Sequence, residues 1–294
     1  MAKVRDLIAA GPTLSFEFFP PKTDEAERTL EKTVAELAPL APSFVDVTYG
    51  ALGSTRERTR DIVVRINRDQ QFPAVAHLTC VGHTRADIDA LLAEYAANGV
   101  GNLLALGGDP PADGSDPGGD FAYASELLEV VKASGDFSVG VAAHPELHPR
   151  SPDRESDRRH LAAKLETADF ALTQFFYYPE DHFRMMDELA ALGCDTPVIP
   201  GIMLWVFAGV AGLERMATMN GSRLPPGLME AIDRAEGPDE VRRIAVDTAT
   251  ELAAQLLDGG VPGLHVYTLN RSQAAIELVE NLGLRPGQGD GIHQ

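Results

Sequence analysis

Cysteine is nearly missing: Cys80 and Cys194 are the two in 294 residues. Two are too few for a disulfide framework in a chain this long, so a reducing compartment is expected. Tryptophan occurs once, at Trp205. Positive charge is also scarce, since 25 Lys and Arg face 44 Asp and Glu for a formal net charge of −19. A surface of that sign repels phosphate backbones and anionic lipid, which argues against nucleic-acid and membrane partners and leaves room for one local basic patch. Nowhere do roughly 18 apolar residues run together, and the first dozen residues hold no apolar signal-peptide core, so a cytoplasmic protein is expected.

What is present is a repeated pattern. Short apolar, β-branched runs span Thr13–Pro20, Ser43–Gly50, Ala74–Cys80, Asn102–Gly108, Phe137–Ala143, Phe170–Phe176, Pro197–Met203 and Gly263–Asn270. Continuous apolar runs alternating with helical periodicity indicate parallel strands buried on both faces. Eight of them predict an α/β protein of the (β/α)8 TIM-barrel class, in which working residues gather at the C-terminal strand ends. Amphipathic helices are expected at Asp24–Leu40, with Asp24 and Glu27 as a capping box, and at Thr84–Asn98 behind Thr84. The seventh connection is about twice the usual length and carries three helical patterns, Ala208–Met219, Pro225–Ala235 and Pro238–Leu257. They form extra helices between strands seven and eight, either a substrate wall or a packing appendage. The expected organisation is one catalytic barrel over residues 1–286 and a flexible tail over 287–294, with Pro110–Asp120 as a mobile loop.

The strand ends offer Glu17, Thr48, Tyr49, His77, Thr79, Asp109, His144, His148, Gln174, Trp205, Asn270 and Arg271. Glu17 lies between aromatics in Ser15-Phe-Glu-Phe-Phe-Pro-Pro21. Such surroundings desolvate a carboxylate and raise its pKa, which suits a general acid. Asp109 follows Gly107-Gly108, where the backbone can approach a ligand and the carboxylate can stabilise a cation; it also suits the start of a turn at Pro110-Pro111. Gln174 could satisfy an amide-like heterocycle, with Phe175 or Phe176 for stacking, or plug the interior through its own hydrogen bonds. Trp205 could wall a planar ligand or belong to the core. His77, His144 and His148 raise a metal question, but no His-x-His follows the first strand and His144-Pro-Glu-Leu-His148 contains proline, so no metal is expected.

Together these segments resemble the methylenetetrahydrofolate reductase family. The stretches that carry the resemblance are Ser15–Pro21, Val47–Gly50, Ala76–Cys80, Gly108–Pro111, Pro145–Pro149, Thr173–Phe176, Ile199–Ile202 and Tyr267–Arg271, in the expected order. The resemblance implies a (β/α)8 barrel that reduces 5,10-methylenetetrahydrofolate with NADH or NADPH, usually through FAD. It implies Glu17 as the acid that opens the folate's five-membered ring and Asp109 beside the pterin. Gln174, Phe176, Trp205 and Arg271 would bind substrate, with Arg271 a partner for the folate glutamate. Thr48, Tyr49, His77, Thr79, Gly108, His144, His148, Asp157 and Lys164 fall at positions expected to line the cofactor.

Departures from the family pattern concentrate on the flavin. Gly107 stands where the family carries arginine, His144 where it carries a flavin-lining tyrosine, and His160 and Ala163 where it carries asparagine and arginine. From Leu103 to Tyr123 there are four aspartates and no Lys or Arg, a poor environment for a diphosphate. FAD is therefore expected to be weak or absent, with hydride passing directly from the nicotinamide dinucleotide. The basic set Arg150, Arg154, Arg158, Arg159 and Lys164 could receive that dinucleotide or partly rescue FAD. Alternatives are a standard ping-pong flavoenzyme, a metal-dependent barrel hydrolase and a silent folate-binding protein. NADH against NADPH and the oligomeric state stay open at this level.

Overall fold

A computed structural model describes residues 1–49, 56–109, 115–207 and 209–284. Its strands β1 (Thr13–Phe18), β2 (Phe44–Val47), β3 (Ala74–Thr79), β4 (Asn102–Leu106), β5 (Ser138–Ala143), β6 (Phe170–Phe175), β7 (Val198–Met203) and β8 (Gly263–Tyr267) close into one parallel barrel in sequence order. The fold is the expected (β/α)8 class. Each strand starts within one residue of its expected position; β5 and β7 end where their runs end, and the other six stop one to three residues earlier.

Every residue of β3 and of β7 is buried, as strands covered by helices outside and side chains inside must be. Alternate residues divide the two jobs. Phe16, Phe18, Val45, Val47, Ala76 and Leu78 face the helices in the main core. Phe44, Val75, Leu104, Phe170, Leu172 and Ile199 form a separate cluster that fills the barrel's interior. Val4 packs into that cluster from α1 (Val4–Ala10), a helix the sequence reading did not contain. The Val4 amide donates to Asn102 Oδ1 at 2.9 Å, and the Asn102 amide returns a bond to Ala2 O at 3.0 Å. The short helix thus stops the N-terminal mouth of the barrel.

The outer helices include α2 (Asp24–Leu37), α3 (Arg56–Asp69), α4 (Arg85–Ala97), α5 (Ala124–Ser134), α6 (Arg154–Leu165) and α7 (Pro179–Ala191). The capping box foreseen at Asp24 is incorrect. Thr23 is the N-cap, its hydroxyl accepting from the Ala26 amide at 3.2 Å, while Glu27 pairs with Arg65 on α3. A threonine one residue earlier competes for the cap, and Asp24 is left to complement the helix dipole. Thr84 does cap α4, in a full box with Asp87. The long seventh connection forms α8 (Ala211–Asn220), α9 (Pro226–Arg234) and α10 (Pro238–Asp258), and α11 (Ser272–Asn281) ends the described chain. α8 and α9 close over Phe175, Met203 and Trp205 in a third apolar cluster at the C-terminal rim. The expected tail and residues 110–114 of the Pro/Gly-rich loop lie outside the described residues.

Candidate active site

The parity that sends Phe16 and Phe18 outward sends Ser15 and Glu17 into the barrel. Neighbouring strands bring partners to the same level: Glu17 is in register with Asp46 on one side and Tyr267 on the other, and Ser15 with His265. The result is a buried acid–imidazole cluster on the β8–β1–β2–β3 side of an otherwise apolar interior. His77 Nε2 lies 2.7 Å from Asp46 Oδ2 and 3.8 Å from Glu17 Oε2. His265 Nε2 lies 3.6 Å from Asp46 Oδ2 and 3.9 Å from Glu17 Oε2. Its other nitrogen, Nδ1, is 2.9 Å from Ser15 Oγ, whose proton can go to Leu264 O at 3.3 Å. Nδ1–H then donates to Ser15, and Nε2 is left facing the two carboxylates.

Glu17 has its pKa raised, first by burial, with Asp46 adding repulsion and the two histidines opposing. The direction is the one expected, but the cause differs. The flanking phenylalanines lie on the other face of the strand, and it is the barrel interior that desolvates the carboxyl. For His265, burial opposes charge, yet Asp46 and Glu17 prevail and its pKa is raised. A carboxyl held toward its neutral form beside an imidazole held toward its charged form is a proton store. Tyr267 covers this store edge-on, its ring 5.1 Å from that of His265, and its hydroxyl donates to Thr173 O at 2.6 Å. Gly201 makes room for it, since a Cβ there would meet the Tyr267 ring at 2.6 Å and Thr173 O at 2.4 Å.

Glu17, Asp46 and His265 also present ligand atoms within 4.8 Å of one another, a set that could hold a divalent cation. These are not the histidines that raised the metal question in sequence, apart from His77 alongside. With Asp46 already engaged by His77, the geometry describes a proton network more directly than a cation cage.

The other candidates are dispersed around the rim. Gln174 is half-buried, and its Oε1 accepts from the Phe175 amide at 3.0 Å, so its amide donors remain to face the mouth. Phe176 is not with them: it is fully buried on the outer side of β6, stacked on His182 at 5.8 Å and 11°. Phe176 lies one residue past β6, beyond a register shift in that strand, and its stack on His182 ties it to α7. Trp205 sits in the rim cluster with its Nε1 unpartnered. Arg271 caps α11, with its guanidinium 5.7 Å over the exposed Phe207 ring. Asp109 is exposed just beyond β4.

On the presumed cofactor side, the Thr48 carbonyl accepts from Thr59 at 2.8 Å and the Tyr49 hydroxyl lies 3.2 Å from His83 Nε2. Thr79 Oγ1 is buried without a partner among the described residues. Gly108, at φ 83°, is required because a Cβ would meet Val81 Cγ1 at 2.4 Å. The His144 and His148 rings meet edge to face at 4.6 Å. Burial first, then repulsion from the neighbouring His148, Lys164, Arg158 and Arg150, pushes His144 down to about 3, so it is a neutral imidazole. Asp157 accepts from Ser151 Oγ at 2.7 Å and pairs with Arg158; His148 Nδ1 accepts the Arg150 amide at 3.1 Å; Lys164 donates to Ala142 O at 3.1 Å.

Asp46, His265, Ser15 and Tyr267 were missed from sequence. Their signal was a polar residue at inward parity in an otherwise apolar strand, as in Phe44-Val-Asp-Val47 and Gly263-Leu-His-Val-Tyr267. Looking only at strand ends passes over it.

A closed parallel barrel with a buried carboxyl near the end of its first strand, backed by imidazoles, places the chain among (β/α)8-barrel enzymes. Over residues 3–283 the chain matches methylenetetrahydrofolate reductase, and it belongs to that family of oxidoreductases. It is 35% identical over 275 residues to the 5,10-methylenetetrahydrofolate reductase of Pectobacterium carotovorum subsp. carotovorum, covering 93% of this chain and 91% of the relative. The Escherichia coli enzyme of the same name is 35% identical over 276 residues, with 93% and 92% covered. A plant relative, methylenetetrahydrofolate reductase (NADH) 1 of Arabidopsis thaliana, is 34% identical over 96% of this chain and 50% of its own length. Among solved structures, a Clostridium thermocellum protein described as binding two copies of 5-methyl-5,6,7,8-tetrahydrofolic acid superposes with a TM-score of 0.64. It covers 96% of this chain and 97% of its own, at 13% identity, and therefore speaks to the fold alone.

Among the described residues no helix is long and apolar enough to cross a membrane.

Proposed function

We propose that the protein reduces 5,10-methylenetetrahydrofolate to 5-methyltetrahydrofolate, with hydride passing directly from a dihydronicotinamide dinucleotide. The observation that carries the reading is Glu17, a buried carboxyl with a raised pKa at the substrate end of the barrel. Glu17 gives its proton to the bridging nitrogen of the folate, the five-membered ring opens, and a 5-iminium cation forms. The carboxylate left behind stabilises that cation electrostatically. Hydride from the dinucleotide then adds to the iminium carbon, giving the methyl group and the oxidised nicotinamide. His265, backed by Ser15 and Asp46, is placed to return a proton to Glu17 for the next turnover.

FAD is the family's usual relay, and the positions that would hold it fit poorly here. Asp157, His148 and Lys164 already engage partners within the protein, Gly107 offers no side chain, and His144 is an uncharged ring packed on His148. These observations support a mechanism in which both reactants share one pocket, so no step is routed through flavin. The family name in its plant relative supports NADH as the donor.

The test is spectroscopic and kinetic. The purified protein should lack absorption near 450 nm, oxidise NADH only when methylenetetrahydrofolate is present, and give intersecting initial-rate lines. A yellow protein with parallel lines would establish the flavin relay. Activity that disappears on exhaustive chelation would instead make Glu17, Asp46 and His265 metal ligands.

A further inference from the structure

The basic set foreseen around α6 separates sharply once its partners are known. Arg158 is buried and turned inward, bonded to the carbonyls of His144, Pro145 and Glu146 and paired with Asp157 and Glu188. Arg154 also pairs with Glu188, and Arg159 pairs with Glu155 on the outer surface. Arg158 ties the β5–α6 loop to its helix, Arg154 and Arg158 join α6 to α7 through Glu188, and each of the three has a carboxylate partner.

Arg150 is different. Its side chain makes no hydrogen bond or ion pair among the described residues, in a chain of net charge −19 where arginines usually find a carboxylate. It reaches from the β5–α6 loop across to the end of β4. A Cβ on Gly107 would lie 3.6 Å from Arg150 Nη2, so the absent side chain at 107 leaves the corridor in which the guanidinium lies. Close by is the Lys164 amine, which has one bond to a carbonyl and no carboxylate within 4 Å among the described residues. Positive charge gathers in this corner, where Lys164, Arg158 and Arg150 all oppose a charge on His144. An exposed guanidinium with no carboxylate partner among the described residues, at one edge of an acidic protein's mouth, is the electrostatic footprint of an anionic ligand.

The geometry points to Arg150 as the site that takes the diphosphate of a dinucleotide, supplying from the β5–α6 loop a cation that Gly107 cannot. This rests on the proposed two-reactant pocket and divides it. In a closed ring of eight strands β5 stands across from β1, so Arg150 lies opposite Glu17, whereas Arg271 follows β8 beside Glu17. Folate bound over Glu17 with its anionic tail toward Arg271 leaves the β4–β5 edge for the second reactant. Arginine suits a diphosphate because its planar fork donates two parallel bonds to phosphate oxygens.

Titrations of NADH, of FAD and of methyltetrahydrofolate, followed by protein fluorescence or calorimetry, test the assignment on the whole chain. Arg150→Gln should raise the Kd for NADH about ten- to a hundredfold and reduce its dependence on salt. The melting temperature and the Kd for methyltetrahydrofolate should stay as in the unaltered protein. Arg150→Lys, which keeps the charge and loses the fork, should fall between. If FAD affinity collapses instead, the diphosphate site stands and the flavin-free reading falls. Equal NADH and FAD affinities in Arg150→Gln, or no measurable binding of either to the unaltered protein, would overturn the assignment.

Discussion

At the scale of single residues, the chemistry depends on where a proton rests. In the proposed reaction Glu17 acts as the protonated acid, so turnover should decline as pH rises through its raised pKa. Glu17→Gln keeps the shape and loses the proton; kcat should drop about a hundredfold or more, with the fold retained by circular dichroism. Rates near those of the unaltered enzyme would take Glu17 out of the mechanism. His144 shows the same physics acting on stability. The unfolded chain takes up its proton near the ordinary value of 6.5, whereas the folded protein does so only at about 3. Folding therefore loses stability as pH falls from about 6.5 toward 3 on account of this residue, and nothing above that window. His144→Tyr should flatten the acid side of a plot of unfolding free energy against pH. Glu17 was legible in sequence because a carboxyl inside an apolar run has few innocent uses. Its partners Asp46 and His265 were not, since each is one polar residue in a strand, and closing the barrel is what faces them toward Glu17.

At the scale of elements, the turn after β8 governs how Glu17 is presented. Beyond the last β1–β8 register pair, Glu17 with Tyr267, side chains continue the ladder. Thr268 Oγ1 donates to Glu17 O at 2.7 Å, and the Asn270 amide both accepts from the Phe19 amide and donates to its carbonyl, each at 2.9 Å. The turn itself is left-handed at Leu269 and Asn270, with φ of 52° and 55°. Asn270→Gly tolerates that conformation and removes only the two bonds, so kcat should fall while the KM for the dinucleotide changes little. Asn270→Ala removes the same bonds and adds backbone strain, and should be less stable than the glycine variant by about 1 kcal/mol in urea unfolding. Equal midpoints for the two variants would show that the turn relaxes. The sequence marked the 268–271 stretch as chemical through Arg271, and the structure reveals that Asn270 fastens two strand ends together. A similar shift occurs around α6, where five basic residues looked alike in sequence and three proved to be paired with carboxylates of the protein's own helices.

At the scale of the molecule, the barrel works because its two ends are filled differently. Phe170, Phe44 and Leu104, with Val4 from α1, make an apolar floor, and the polar cluster sits above it. Phe170→Ala should cost about 3–5 kcal/mol by opening a cavity in that floor, read as a lower denaturant midpoint. A loss below 1 kcal/mol would mean that α1 moves in to fill the space. The seventh connection adds a rim of α8 and α9 that buries Trp205 and Met203. The sequence could locate these helices by their period but left open whether they cover substrate or only pack.

The sequence by itself determined the strand count, the parallel order and the depth of the core, because period and apolar runs are local and repeat eight times. It also marked Glu17 as a candidate, because a carboxyl inside an apolar run is unusual. Only the tertiary structure decided which strand residues look inward together, that Phe176 leaves the pocket, and that Arg158 is consumed while the Arg150 side chain has no partner among the described residues. Those outcomes depend on registers between strands distant in the chain and on which charges meet after closure, and no local pattern records either.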